Sequence, residues 1–186
     1  MYIAEKLKSQ NIAEYLIYMW QVEDLLRANH CRLDEVKRTL VDTRTDLTDP
    51  QRQRLTQWYA DLIDMMHQEG VVEKGHLQIN KNVIVWLTDL HLQLLRSPKF
   101  PYYGAAYFKV LPFIVELRAK GTGNDAPELE TCFEALYGIL LLKLQHKPVS
   151  DDTRQAQTAI SALLAMLAQY YIADKKGELF DEPLNS

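Results

Sequence analysis

Apolar residues recur at helical spacing along most of the chain, and no stretch alternates convincingly at period two. The strongest pattern covers residues 11–28, where only a narrow arc of the helical circumference is polar. A helix that is apolar nearly all round is typical of the middle of a bundle. We therefore predict a central helix over residues 11–28, with a main buried stripe formed by Ile12, Tyr15, Met19, Val22 and Leu26.

The same spacing predicts further helical segments, separated by glycine, proline and polar connectors. They cover residues 2–9, 32–41, 50–69, 80–96, 102–120, 125–146 and 151–175. Short connections favour antiparallel neighbours. We predict an all-α, single-domain up-and-down bundle of six to seven helices over residues 1–176, followed by a short tail, residues 177–186.

Three of these segments carry predictions about single side chains. Leu33 and Leu144 are expected to point inward from their own helices. Pro112 lies in the middle of its helix and is expected to kink it, because proline removes one backbone hydrogen bond. The inner face of that helix is predicted to consist of Tyr107, Phe108, Leu111, Ile114 and Val115.

Composition narrows the class of protein. The net charge of −4 and the mixed charges of residues 32–54 argue against nucleic-acid binding. Cys31 and Cys132 are too few for a disulfide framework and lack metal-site spacing. The N-terminus does not resemble a signal peptide, which favours the cytoplasm. Residues 155–173 have the length of a membrane span, but their polar residues favour a soluble amphipathic helix.

Sequence motifs for catalysis give a negative result. The chain has no phosphate-binding glycine loop and no nucleophile elbow. Two pairs, Glu73 with His76 and Asp64 with His67, have the carboxylate–histidine spacing of di-iron bundles, but the first contains a glycine and the second lacks a glutamate. We interpret both as solvent-facing polar pairs and predict no catalytic residue, metal or cofactor.

Two polar residues interrupt apolar faces and are the main candidates for a site. Glu23 lies among the apolar residues of the central helix, and His91 lies on the inner face of its own helix. A buried carboxylate needs a partner. We predict that Glu23 is buried and hydrogen-bonded, first to His91 and otherwise to a tyrosine hydroxyl. A structural polar pair is favoured over an acid/base or ligand-anchoring site.

Aromatic residues complete the candidate ligand pocket. Tyr15 and Tyr18 belong to the central helix, while Phe100, Tyr102 and Tyr103 surround a proline-stiffened connector. Such a connector can clamp a flat ligand or a peptide. Rings of this kind more often close the end of a bundle.

The C-terminal part offers two further surfaces. The back of the last helix carries small and polar residues that permit a close neighbour such as a second subunit: Thr158, Ala162, Ala165, Gln169 and Ala173. An exposed alanine-rich face explains them nearly as well. In the tail, Leu179, Phe180 and Leu184 either dock on the chain's own domain or form a recognition segment.

Two runs carry a resemblance to a known family: NIAEYLIYMWQVEDL at residues 11–25 and SPKFPYY at residues 97–103. They are similar to an uncharacterised bacterial family, filed as a domain of unknown function and found mainly in Bacteroides-type bacteria. The resemblance implies a helical, cytoplasmic bacterial protein. It implies no activity, cofactor or site residue.

These observations support two hypotheses about function. The first is a non-enzymatic helical interaction protein that forms a homodimer, since symmetric dimers are the commonest oligomers. The alternative is a small-molecule-binding protein or an enzyme, with Glu23, His91 and the tyrosines lining a pocket between helices. The sequence identifies no small-molecule ligand.

Overall fold

The computed structural model describes residues 1–120 and 126–180. Within these ranges the chain forms α-helices and one π-helical turn, Lys37–Val41, and no strand. The all-α prediction is confirmed. The helices are α1 (Tyr2–Gln10), α2 (Ile12–Ala28), α3 (Leu33–Val36), α4 (Asp49–Gln68), α5 (Gln78–Arg96), α6 (Pro101–Lys120), α7 (Glu128–Leu144) and α8 (Asp151–Lys175).

The number of helices differs from the prediction. The described residues form eight α-helices, one for each segment that the apolar spacing predicts, whereas the predicted bundle had six to seven. The predicted loop over residues 121–125, the predicted helix start at Asp125 and the tail residue Leu184 lie outside the described residues.

Helix starts follow the local chemistry of the sequence. At α4, the side chain of Gln51 accepts a hydrogen bond from the backbone N–H of Thr48 at 2.8 Å, and a proline stands in the first turn. At α8, the Ser150 hydroxyl accepts from the backbone N–H of Thr153. Both interactions satisfy backbone groups that a helix leaves open at its end.

Two compact units divide the chain. The first consists of Met1–Ser9 and Glu14–Val83, and α2 and α4 supply most of its core. All five stripe residues predicted for the central helix are buried, which confirms that α2 is a core helix. The buried side chains that follow α2 in the first unit include Leu55, Leu62, Ile63, Met66 and Leu77.

The second unit consists of Gln10–Ala13 and Ile84–Ser186. Its helices α6, α7 and α8 contact one another pairwise. Its buried side chains include Tyr103, Val110, Ile114, Leu129, Phe133, Ile160, Leu163 and Leu167. The division into a single domain over residues 1–176 and a tail over residues 177–186 stays a prediction.

The inner face of α6 differs from the prediction. Phe108 is 67% exposed and Val115 is 61% exposed, whereas Tyr103 and Val110 are fully buried. The residue Ile114 is buried as predicted. Apolar residues occupy two opposite faces of this helix, so periodicity alone does not select the buried one.

Two leucines at helix ends also differ from the prediction. Leu33 and Leu144 are exposed, because each lies in the terminal turn of its helix, beyond the main packing contacts. Leu33 thus stays outside the core, and in the segment that follows α3 the buried apolar residue is Val41.

Among the helices of the described residues, α8 alone is long and apolar enough, by length and composition, to cross a membrane. One such helix is a weak indication, because a core helix of a soluble protein meets the same test. In α8, Ile160, Leu163, Leu164 and Leu167 are buried within the protein. The soluble character of the chain stays a prediction.

Candidate functional site

The carboxylate of Glu23 on α2 is fully buried and surrounded by three donors. Oε1 accepts from the backbone N–H of Leu77 at 2.9 Å and from the side-chain amide of Asn80 at 2.7 Å. Oε2 accepts from Nδ1 of His76 at 2.6 Å. These bonds replace the water that a buried carboxylate loses. They also place negative charge at the start of α5, where the helix dipole is positive.

The predicted burial and hydrogen bonding of Glu23 are confirmed, but the predicted partner, His91, is wrong. The imidazole bonded to Glu23 is that of His76, in the turn before α5. A helical pattern tells which way a side chain points along its own helix. It does not tell which residue of another segment meets it there.

The turn that carries His76 is held by contacts from α2. The imidazole stacks on Trp20, with ring centroids 4.2 Å apart and planes at 13°, and the side chain stays 28% exposed. Arg27 donates hydrogen bonds to the carbonyl oxygens of Val71 and Gly75. Gly75 has a φ of 89°, a conformation that glycine adopts without strain. The sequence analysis missed this arrangement because none of the turn residues belongs to a periodic face.

A second polar cluster surrounds His91 on α5. Nδ1 of His91 and the Tyr103 hydroxyl share a hydrogen bond of 2.6 Å. The imidazole also meets the rings of Tyr103 and Tyr107 edge-on, at 5.6 Å and 5.1 Å between centroids. The Tyr107 hydroxyl donates to Glu128 at 2.8 Å. This cluster joins α5, α6 and α7 within the second unit.

Burial sets the protonation of the second cluster. It lowers the pKa of His91, and the charge of Glu128 opposes this effect. It raises the pKa of Tyr107 to about 12, with a further contribution from the hydrogen bond to Glu128. The pKa of Tyr103 is raised well above its ordinary value, again by burial. A neutral imidazole packed between neutral phenols is the state this environment favours.

The tyrosines of α2 lie in a different environment from His91. Burial raises the pKa of both Tyr15 and Tyr18. Tyr15 lines an open cavity of about 280 Å³ together with Met19, Trp58 and other residues of the first unit. No hydrogen bond joins either tyrosine to Glu23 among the contacts of the described residues.

The connector aromatics separate into buried and exposed members. Phe100 meets the rings of Tyr170 and Phe180 edge-on, at 5.1 Å and 5.7 Å, and Tyr103 meets Tyr170 at 5.8 Å. Tyr102 is 82% exposed. The packing of Phe100 and Tyr103 agrees with a structural aromatic cluster. As a ligand pocket, the whole predicted set stays a prediction.

Neither metal-like pair forms a ligand cluster in the described part of the chain, where no three histidine, cysteine or acidic side chains come close enough to hold an ion. Asp64, His67 and Glu73 are exposed, as predicted for solvent-facing pairs. For His76 that interpretation is wrong, because it is half-buried against Trp20.

Both cysteines are buried free thiols. Burial raises the pKa of Cys132 to about 12, and the charge of Glu128 adds to this effect. Burial also raises the pKa of Cys31. A thiol with a raised pKa is a poor nucleophile at neutral pH, because the thiolate is the reactive form.

A family model, the domain of unknown function DUF4924, matches residues 1–178 of the chain. The chain belongs to this family. No curated protein and no solved structure matches the chain significantly. The DUF4924 match confirms the resemblance to an uncharacterised family over nearly the whole chain, while the bacterial origin stays a prediction.

Proposed function

We propose that this DUF4924 chain is a non-enzymatic helical protein that acts by associating with a second copy of itself. The observation that carries the proposal is the outer face of α6, where Tyr102, Phe108 and Val115 expose large apolar side chains. Exposed apolar patches on folded proteins often mark interaction sites.

The polar clusters support a structural role over a catalytic one. The Glu23 carboxylate is engaged by three donors that link α2 to the start of α5. His91 is buried between tyrosines, in an environment that favours its neutral form. Both arrangements join neighbouring segments of one unit.

Sedimentation velocity over a concentration series tests the proposal. We expect the mass to rise from monomer to dimer as the concentration increases through the micromolar range. A strict monomer at the highest soluble concentration would contradict it.

We further propose a soluble, cytoplasmic protein that binds neither nucleic acid nor membrane, in line with its net charge of −4. Fractionation of the native cell tests this, and recovery with the membrane pellet after a salt wash would contradict it.

A small-molecule-binding role is the second candidate, and one observation favours it. His76 keeps part of its ring exposed while the buried Glu23 fixes its orientation. Carboxylate-oriented imidazoles serve as bases and ligands in many sites. Native mass spectrometry of protein purified from its own source tests this role. The role is supported if the wild-type protein carries a bound molecule that the His76→Ala variant lacks. A measured mass equal to that of the chain alone contradicts it.

A further inference from the structure

The exposed face of α6 has a regular apolar spacing. Successive apolar residues along it are separated alternately by four and three positions. All of them are exposed. They are Pro101, Ala105, Phe108, Pro112, Val115 and Ala119.

This spacing is that of the a and d positions of a coiled coil. An a/d stripe forms the narrow seam along which one helix packs against another. In α6 the opposite face, with Tyr103, Val110 and Ile114, already packs in the core. The stripe that we call the α6 seam therefore faces outward with the pattern of a second helix contact.

Charged residues beside the α6 seam indicate the partner and its direction. Lys109 and Glu116 are exposed and occupy successive e positions on one side of the seam. In an antiparallel helix pair, e positions of the two helices face each other. Lys109 of one copy then lies opposite Glu116 of the second copy, and two-fold symmetry repeats the pair. In a parallel pair the two charges would face Gly104 and Leu111, which carry no charge.

The same antiparallel register matches side-chain sizes. With Lys109 opposite Glu116, Phe108 packs against Ala119 of the second copy, and Val115 packs against Pro112. The largest residue of the seam, Phe108, is thereby opposed by the small Ala119, which favours close packing. Moving one helix by a heptad would place Lys109 opposite Lys109 of the second copy, and that like-charge contact is unfavourable.

We propose that two copies of the chain associate through their α6 seams, antiparallel, with Lys109 opposite Glu116. This inference rests on the proposed function, because it specifies the surface and the register of that self-association. A 20-residue helix is about 30 Å long. Contact along one such helix lies at the small end of protein interfaces, so a dissociation constant in the micromolar range is expected.

A charge exchange at the seam tests the proposal by sedimentation equilibrium. Lys109→Glu places two glutamates opposite each other, and Glu116→Lys places two lysines opposite each other. Each single variant should raise the dissociation constant about tenfold or more. The double variant K109E/E116K restores opposite charges and should return the constant to within about threefold of the wild-type value. Circular dichroism melts verify that all three variants are folded.

Ala162→Glu provides the matched control. Ala162 is exposed on the small-residue face of α8, the other surface that the sequence suggests for a dimer. This variant should leave the dissociation constant unchanged.

The outcomes separate the inference from the proposed function. The α6 seam is supported if each single variant raises the dissociation constant and the double variant restores it. The inference is overturned, and the proposed self-association stands, if neither single variant changes the dissociation constant or if Ala162→Glu dissociates the dimer. The register is overturned if the single variants raise the dissociation constant and the double variant does not restore it. A monomer at every concentration overturns both proposals.

Discussion

At the scale of single residues, the stability of this chain depends on hydrogen bonds made by buried polar groups. Glu23 illustrates the rule, since each of its carboxylate oxygens accepts at least one hydrogen bond from the segment that precedes or begins α5. Removing one side of such a buried arrangement costs more than the arrangement contributes as a whole, because the remaining groups stay buried without partners.

Glu23→Ala should lower the free energy of unfolding by about 3–5 kcal/mol. The change leaves the N–H of Leu77, the amide of Asn80 and the His76 imidazole without their acceptor. Urea unfolding followed by circular dichroism measures the effect. Glu73→Ala, in the same turn but exposed, is the control and should change stability by less than about 0.5 kcal/mol. Equal stability of the two variants would show that the carboxylate does not hold the turn.

His91 should make the protein less stable in acid. Burial lowers its folded-state pKa below the ordinary value of 6.5, so the unfolded chain takes up the proton first as pH falls. The free energy of unfolding should therefore decline below about pH 6.5, by at most about 1.4 kcal/mol per pH unit from this group. Above that pH the imidazole is neutral in both states and contributes no pH dependence.

Urea unfolding of His91→Gln between pH 5 and pH 7.5 checks this prediction. The variant should show a smaller acid decline than the wild type. His67→Gln removes an exposed histidine instead and should keep the wild-type slope. Parallel pH curves for all three proteins would rule out the assigned role of His91.

Cys132 should resist alkylation in the folded protein. Its sulfur is buried and its pKa is raised to about 12, so little thiolate is present or accessible at pH 8. Mass spectrometry after iodoacetamide treatment should find Cys132 unmodified in native protein and fully modified in urea. Rapid labelling of native Cys132 would contradict the burial described for α7.

At the scale of elements, the segment after α8 contributes packing through one ring. Phe180 meets Phe100 edge-on at 5.7 Å. Aromatic pairs of this kind add about 0.5–1.5 kcal/mol beyond the area they bury. This contact favours the docked interpretation of the tail for the residues that the structure describes.

Phe180→Ala should lower the free energy of unfolding by about 1 kcal/mol, because it removes this ring contact. A double-mutant cycle with Phe100→Ala isolates the interaction and should give a coupling energy of about 0.5–1.5 kcal/mol. Glu178→Ala, exposed in the same segment, should have little effect. A coupling energy of zero would indicate that the tail does not dock on the connector that precedes α6.

At the scale of the whole molecule, three helices contain a boundary between the two units. In α1 the boundary lies at the last residue, Gln10. Helix α2 contains the boundary between Ala13 and Glu14, and α5 contains the boundary between Val83 and Ile84. Unfolding one unit alone would break backbone hydrogen bonds in the first turn of α2 and within α5, six residues after its start. That cost favours cooperative unfolding of the chain.

Differential scanning calorimetry should therefore record a single transition, with a calorimetric enthalpy equal to the van't Hoff enthalpy. The scan belongs at low micromolar concentration, where dimer dissociation does not add its own heat. Two resolved transitions would mean that the units unfold independently and would contradict the single-domain prediction.

The helical architecture could be predicted because it depends on short-range regularities. The stripe from Ile12 to Leu26 repeats at helical spacing, and the Thr48 and Gln51 pair marks a helix start within four residues. Such signals need only neighbouring positions in the chain. For the same reason the burial of Glu23 followed from its position among apolar residues of α2.

The sequence by itself thus determined the all-α class, most helix boundaries and the core position of α2. Tertiary structure alone decided that His76 meets Glu23 and that Phe108 faces outward while Tyr103 faces inward. Helical spacing orients a side chain relative to its own helix axis, which is a local property. The partner of a side chain, and the choice between two apolar faces, depend on how distant segments pack, and local spacing carries no information about that.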